Sequence, residues 1–473
     1  MIFKLLTILD RLHWLWLGLA APFLLFPTPL RSLAMLVVPG LWLLDGIVTR
    51  RKLLPVSPLN LPILLLAFMV LVSIWATYDL SVSLPKISGM VLGLGAYFAV
   101  VRESSMPAGW RWSLLAFLGL GLGVAALSFL GTQWTESKFL LFNPLTSRFP
   151  QLVDGLQGAE EGFHPNEVAG ALLWVLPSMF TLSLSLLISP RQRVLLRTQR
   201  SEVARSDPEQ EKDHFVEKGA VWALRLVIWL STLFVFIVFI LTQSRGSYLA
   251  LLVTGFVILF ALLPSRGRVV LLGFFLLGGV ILGLVLFRAR SIGLGQGIPD
   301  YALIAWRSFL ANNTFGLRIE IWSRALFALQ DFSFTGMGMN TFRYVVHEIY
   351  PLFSVSKDIG HAHNEFLQAG LDLGIPGLIA FVALYIGAFW MLAEVWKNTE
   401  TPVLSPVEGS NVSTFNVQRL TVLGLGGGLF AHMLYGLTDA IALGAKPGLL
   451  FWMLLGLIAG LYEQVNAGAE RVS

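Results

Sequence analysis

Long apolar segments, separated by short polar connections, follow one another along most of the chain. A helix that crosses a lipid bilayer needs about 20 mainly apolar residues. Twelve segments approach that length, and the second and fourth are short enough to be tilted, broken or re-entrant. They lie at residues 13–30, 33–48, 61–77, 86–101, 111–131, 168–188, 221–242, 247–264, 269–287, 366–393, 420–443 and 447–462. The pattern predicts an all-α polytopic integral membrane protein with about 12 transmembrane helices.

The composition supports this fold class. Of 473 residues, 56% are hydrophobic and only 13% are charged, whereas a soluble domain has about 25% charged residues. Cysteine is absent, which excludes disulfides, thiolate metal ligands and cysteine nucleophiles. Residues 1–30 are basic and then apolar, without a convincing small-residue cleavage site, so we expect a retained first helix.

Lysine and arginine in the connections predict the orientation. With the N-terminus in the cytoplasm, the short connections place 20 of these residues inside and 6 outside. Both termini are then cytoplasmic. Residues 1–287 hold nine helices and a charged cytoplasmic loop at about 190–220, residues 288–365 form a long external (periplasmic) loop, and residues 366–473 hold three helices. The net charge of +5 reflects this orientation, and nothing in the sequence favours nucleic acid as a partner.

The external loop carries many large apolar side chains, so we expect it to be partly helical, on the membrane surface or over the bundle. Ile319, Trp322, Leu326 and Leu329 follow the 3.6-residue spacing of an amphipathic helix. The Gly-x-Gly sequence at 336–338 then indicates a tight turn. Two glycines alone are weak evidence for a phosphate-binding site, so we favour the turn.

Two of the seven histidines, His361 and His363, precede the tenth apolar segment. Asn364 can cap a helix that begins at Glu365, where an acid favours the helix dipole. Two histidines near an acid also suggest a metal site. However, the spacing differs from helical H-E-x-x-H and no third ligand is evident, so we predict no metal.

Arginines are expected near these histidines. Arg245 lies between the seventh and eighth apolar segments, where a charge is costly unless it is paired or functional. Arg318 lies one turn from Trp322, and Arg343 precedes His347 by four residues. The guanidinium fork suits phosphate oxygens, so the cluster suits a lipid-linked diphosphate. The arginines would stabilise charge on the leaving diphosphate, and His363 would take a proton from an incoming hydroxyl. The predicted substrate-binding residues are Arg245, Arg318, Arg343, Asn364 and His361.

One spacing resembles a family motif. In the O-antigen ligase superfamily, which includes O-antigen polymerases, a His-(Asn/Ser/Gln) pair is followed by nine residues and Gly-x-x-Gly. Here His363-Asn364 is followed by nine residues and then Gly374-Ile375-Pro376-Gly377. The sequence TQSRG around Arg245 and the Arg318-to-Trp322 spacing are also similar, as are the Gly-x-Gly turn and HPNEVAGAL at 164–172. The resemblance covers about residues 160–460.

The resemblance implies a metal-independent inverting glycosyltransferase of the bacterial inner membrane, without a cofactor. The donor would be an undecaprenyl diphosphate-linked glycan on the periplasmic side. The acceptor would be a lipid or glycan hydroxyl: lipid A–core for a ligase, which we favour for its long external loop, or another repeat unit for a polymerase. Some relatives use a protein hydroxyl. His363 would be the base, and Arg245 and Arg318 would hold the diphosphate. His361 has no firm counterpart, and Arg343 rests on helical spacing alone.

Two other functions stay open. Asp439 and His432 fall in the eleventh apolar segment, and intramembrane charges often mark an ion or solute path. An anion transporter is therefore an alternative, although Asp439 could simply pair with Lys446 and no inverted repeat is visible. The second alternative is a scaffold protein that recruits a partner through the cytoplasmic loop at 190–220. In every case membrane lipids surround the chain.

Overall fold

The computed structural model describes most of the chain. The described residues are 13–28, 30–37, 39–40, 43, 55–104, 107–132, 134, 143–146, 148–149, 151–155, 162–201, 208–291, 314–352, 359–398, 411–441 and 443–470. Within this part the fold is all-helical, as predicted. No β-strand occurs among these residues, and one isolated bridge joins Thr132 to Phe163.

The helices follow one another in a single chain order. We number them α1 (His13–Leu25), α2 (Asn60–Ala76), α3 (Leu80–Glu103), α4 (Pro107–Gly131), α5 (Pro165–Ser201), α6 (Pro208–Leu241), α7 (Arg245–Leu262), α8 (Ser265–Ser291), α9 (Thr314–Asp331), α10 (Phe342–Ile349), α11 (Glu365–Asn398), α12 (Asn411–Gly436) and α13 (Leu449–Glu470). Short helical turns at Arg31–Leu36, Asn143–Thr146 and Lys446–Gly448 complete the order.

Seven helical stretches in the described part of the chain are long and apolar enough to cross a membrane. They are Leu80–Glu103, Ala108–Gly131, Pro165–Leu186, Trp222–Leu241, Arg245–Leu262, Glu365–Asn398 and Lys446–Ala467. α2 is equally apolar but has only 17 residues. A multi-pass membrane protein is thus supported, while the count of twelve is not reached. Half of the second predicted segment, 33–48, lies outside the described residues.

Some helix limits differ from the sequence-based limits. The fourth predicted segment, 86–101, is not short. It belongs to α3, which has 24 residues and begins after Asp79, whose carboxylate accepts a hydrogen bond from Ser81 N at 2.8 Å. α12 ends at Gly436 instead of continuing to 443. α5 and α6 extend into the charged stretch at 190–220, since its arginines, glutamates and lysines favour helices.

Helices from distant parts of the chain pack in pairs. The principal pairs are α5 with α12, α3 with α13, and α2 with α11. α12 is glycine-rich because it approaches α5 closely. A Cβ added at Gly428 would lie 2.3 Å from the carbonyl oxygen of Trp174. This contact brings the end of α12 next to the start of α5, where the candidate site forms.

A second, smaller core lies under α9 and α10. It contains Ile321, Ala325, Ala328, Met337, Phe342, Val346, Ile359, Ala362 and Leu371. The helices expected within residues 288–365 are therefore present as α9 and α10. The predicted apolar face of α9 is only partly buried. Leu329 packs on this core, whereas Ile319 and Leu326 are about half exposed. The two alanines face the core as well, since small side chains permit close contact with α11.

Candidate functional site

The backbone around His363 is held by side chains. His363 has a φ of 48°, a left-handed conformation that is uncommon for a residue other than glycine. Its N–H donates to Nδ1 of His361 at 3.1 Å. Its carbonyl accepts the indole N–H of Trp322 at 3.3 Å. Asn364 caps α11 as predicted, accepting from Leu367 N at 3.0 Å. These hydrogen bonds fix the direction in which the imidazole points from the backbone.

Asp439 is the centre of the site. It is almost fully buried, and it lies in the turn of residues 437–441 that follows α12. One carboxylate oxygen lies 3.1 Å from His363 Nδ1 and 3.6 Å from His361 Nε2. The other accepts from the Asn166 side chain at 2.9 Å and lies 3.7 Å from Arg318 NH2. Four separate segments of the chain therefore meet on one carboxylate.

The charges around this carboxylate set the protonation of the site. Burial lowers the pKa of His361 to about 3, and this effect outweighs the opposing charge of Asp439. His361 is therefore neutral near pH 7. Burial would raise the pKa of Asp439, but the hydrogen bond from His363 and the guanidinium of Arg318 hold that pKa below its usual range. Asp439 is thus an anion in the assembled site.

The hydrogen bonds also assign the tautomers of the histidines. An ionised carboxylate can only accept, so His363 carries a proton on Nδ1 and, when neutral, a lone pair on Nε2. His361 accepts a backbone N–H on Nδ1, so its own proton lies on Nε2, towards Asp439. His363 can therefore act as a base through Nε2, whereas His361 is a neutral donor.

The other predicted binding residues fall at different places. α7 begins at Arg245, and a Cβ at Gly246 would lie 2.8 Å from Thr438 Oγ1, so the first turn of α7 lies against the neighbour of Asp439. Asn364 reaches the same turn by donating to Leu437 O at 3.2 Å. Arg343 is exposed on α10, 5.8 Å from the centre of the Tyr344 ring. The structure thus joins Arg318, His361 and His363 directly, and it places Arg343 on Tyr344.

The three groups His361, His363 and Asp439 could hold a metal ion, because their ligand atoms lie within 4.8 Å of one another. The sequence-based interpretation found no third ligand, and Asp439 supplies one. The tautomer of His361 opposes metal binding, however. A metal at Nε2 would require a proton on Nδ1 and would break the bond from the His363 N–H. Metal independence stays a prediction.

Sequence reasoning did not assign Asp439 or Asn166 to the site. Asp439 was noticed only as a charge in an apolar segment, and Asn166 as a plausible helix cap in a stretch that could also line the donor site. His432, also noticed as an intramembrane group, forms a separate buried pair. Its Nδ1 lies 3.2 Å from Glu365, and its ring stacks on Trp174 at 4.0 Å. Proximity across more than 70 residues, as between His363 and Asp439, is not visible in a single sequence.

Comparison with known proteins gives one finding about family. No curated protein matches the chain. A family model described as O-antigen ligase matches residues 230–382. This region includes Arg245, Arg318, His361 and His363, while Asn166 and Asp439 lie outside it. The resemblance to the O-antigen ligase superfamily is thereby confirmed for the region that carries all six site residues predicted from the sequence.

Proposed function

We propose that the protein is an O-antigen ligase-like glycosyltransferase. It would move a glycan from undecaprenyl diphosphate to a hydroxyl acceptor, such as lipid A–core, on the periplasmic side of the bacterial inner membrane. The observation that carries the proposal is the contact of His363 with Asp439, 3.1 Å apart, beside the guanidinium of Arg318. The family match supports a membrane enzyme that acts on lipid-linked glycans.

The chemical step uses His363 as general base. The acceptor O–H gives its proton to Nε2 of His363 while its oxygen bonds to the anomeric carbon of the glycan. The bond from that carbon to the diphosphate oxygen breaks, and the electron pair leaves with the diphosphate. Attack opposite the leaving group inverts the anomeric centre. Asp439 would hold the imidazole in the required tautomer and stabilise the imidazolium that forms.

Cations would assist departure of the diphosphate. Arg318 lies 3.7 Å from Asp439, with about a quarter of its side chain exposed, so its other N–H groups can reach a ligand. Arg245, at the start of α7, would supply a second guanidinium. A bidentate arginine contact stabilises phosphate charge that grows as the glycosidic bond breaks. Arg343 would contact the donor only at the edge of such a site.

The first experiment supplies purified protein in lipid nanodiscs with undecaprenyl diphosphate-linked glycan and two acceptors, with a chelator present. We expect transfer, and the product identifies the reaction. Glycan on lipid A–core indicates a ligase, and lengthened lipid-linked glycan indicates the alternative, a polymerase. Chelator resistance would establish metal independence, whereas inhibition that added Zn²⁺ or Mg²⁺ reverses would contradict it.

His363→Ala should reduce transfer by at least about 100-fold, because general-base catalysis contributes on this scale. His347→Ala is the matched control, since His347 lies on α10 and outside the His363–Asp439 contact. Wild-type rates in His363→Ala would remove the base assignment.

Uptake of labelled anions into proteoliposomes without any lipid donor would favour the transporter.

A further inference from the structure

Two polar side chains are buried inside the first turns of α11. Gln368 is 3% exposed and Asp372 is fully buried. Gln368 Nε2 donates to Asp372 Oδ1 at 2.9 Å, and Gln368 Oε1 accepts the backbone N–H of Ala362 at 2.9 Å. Ala362 immediately precedes His363. One side of this pair is therefore attached to the backbone that carries the proposed base.

The other side of the pair is attached to the turn after α9. Asp372 Oδ1 also accepts the backbone N–H of Asn340 at 3.1 Å. Asn340 has a φ of 64°, and its side chain donates to Val82 O at 3.1 Å in α3. Next to it, Met337 N donates to Leu371 O at 2.7 Å. The pair therefore connects two external turns, 336–341 and 361–364, through the interior of α11.

The orientation of the Gln368 amide follows from its partners. A backbone N–H can only donate and a carboxylate oxygen accepts, so Oε1 must face Ala362 and Nε2 must face Asp372. Asp372 Oδ2 has no hydrogen-bond partner among the described residues. All described hydrogen bonds of the Asp372 carboxyl group thus belong to the link between the 336–341 and 361–364 turns. Burying a polar pair is costly where apolar side chains would fill the same space.

We propose that Gln368 and Asp372 are positioning residues for His363, which rests on the proposed role of His363 as the base. Their hydrogen bonds fix the position of the 361–364 turn relative to α11 and to the 336–341 turn. The imidazole then lies in reach of Asp439. Neither side chain touches the proposed substrate, so they act through Ala362 and the backbone of His363.

The test measures kcat, the KM for the lipid-linked donor and the melting temperature. For Gln368→Leu we expect kcat to fall by about 100-fold, because a small displacement of a catalytic group has an effect of this size. The donor KM should change less than about twofold, since the phosphate-binding arginines are untouched. Gln464→Leu is the matched control. It removes another glutamine hydrogen bond, to Ser104 O at 2.7 Å in a different helix pair, and should keep wild-type kcat.

A conservative variant separates positioning from general damage. Asp372→Leu removes the shared acceptor and should lose kcat as Gln368→Leu does. Asp372→Asn keeps an oxygen in the place of Oδ1, which can still accept from both Gln368 Nε2 and Asn340 N, and its NH2 group takes the place of Oδ2. We expect Asp372→Asn to have at least about tenfold higher kcat than Asp372→Leu. Equal kcat in Gln368→Leu and wild type, or equal kcat in the two Asp372 variants at normal melting temperature, would overturn the proposal.

Hydrogen exchange keeps this test independent of the proposed function. Backbone amides in peptides that cover residues 359–366 should exchange faster in Gln368→Leu than in wild type. Their exchange rate should be unchanged in Gln464→Leu. Unchanged exchange in Gln368→Leu overturns the positioning role. Faster exchange in a protein that transfers no glycan retains the structural link and rejects the glycosyltransferase proposal instead.

Discussion

At the scale of single residues, the site depends on a carboxylate that is distant in sequence from the histidine it serves. Asp439 accepts from His363 and Asn166 and lies within ion-pair distance of Arg318. Its anionic form matches all of these donors at once. A neutral side chain of the same shape would leave buried donors facing one another, which is unfavourable.

Asp439→Asn should therefore lower the transfer rate by about 100-fold or more. The new amide would oppose the Asn166 amide or would turn and lose the required tautomer of His363. The measurement is kcat with purified donor and acceptor. Asp331→Asn is the control, because Asp331 is hydrogen-bonded to Tyr350 at the end of α9. Wild-type kcat in Asp439→Asn would show that His363 needs no carboxylate.

His361 predicts a dependence of stability on pH. Its pKa is lowered from 6.5 to about 3 in the folded protein, so below pH 6.5 the unfolded chain binds a proton that the folded chain does not. The free energy of unfolding contributed by this group therefore falls as the pH decreases from about 6.5 towards about 3. The surrounding charged or titratable groups, Asp439, His363, Lys86 and His164, act on the same pKa.

His361→Asn should reduce this acid sensitivity. An asparagine can still accept the N–H of the residue two positions later, so the turn can persist without a titrating ring. We expect Tm in nanodiscs to decrease between pH 7 and about pH 4.5 by less in His361→Asn than in wild type. An equal decrease in both proteins would assign the acid sensitivity to other groups.

At the scale of elements, the Gly-x-x-Gly part of the motif forms a break in α11. Gly374 has φ 69° and ψ −179°, outside the helical region. The break lets Ile375 N donate to Ser333 O at 2.7 Å, and a Cβ at Gly374 would lie 2.1 Å from Phe334 O. One end of the motif is therefore the turn that carries His363. The other end is a helix break that contacts the segment after α9.

Gly374→Ala should lower the free energy of unfolding by roughly 1–3 kcal/mol, because this backbone conformation is nearly restricted to glycine. Thermal unfolding in nanodiscs measures the effect. Gly360→Ala is the control, since a Cβ there meets no atom within 4 Å. Equal Tm values for the two variants would contradict a requirement for glycine at the break.

The sequence predicted elements better than their contacts. Hydropathy located α4, α7 and α11, and the amphipathic spacing located α9, since these signals are local. The buried face of α9 was partly misjudged because it depends on how closely α11 approaches. The limit of α12 was misjudged because residues 437–441 are mostly apolar although they form a turn. The histidine motif predicted its own helix cap, but not the partner of its imidazole.

At the scale of the whole molecule, the orientation in the membrane is a prediction that chemistry can test. After the break at Gly374, α11 continues from 375 to 398. These 24 residues extend over about 36 Å, which is long enough to cross a bilayer whose apolar core is about 30 Å thick. The orientation from lysine and arginine places α10 and the start of α11 outside and the end of α11 in the cytoplasm.

The absence of cysteine makes this test clean, because one introduced thiol is the only one. Glu348→Cys, at an exposed position of α10, should react with a membrane-impermeant maleimide in intact spheroplasts. Lys397→Cys, at the exposed end of α11, should react only after the membrane is opened. The reverse labelling pattern would place the His363–Asp439 site on the cytoplasmic side.

The late place of Asp439 in the chain has a consequence for biosynthesis. While the ribosome is still making α12, the nascent protein already contains Arg245, Arg318 and His363, but not the carboxylate that orients the imidazole. Under the proposed function, transfer therefore waits until the chain beyond α12 has been made. An incompletely translated copy would then be inert, and the proposed lipid-linked donor would be spared during assembly.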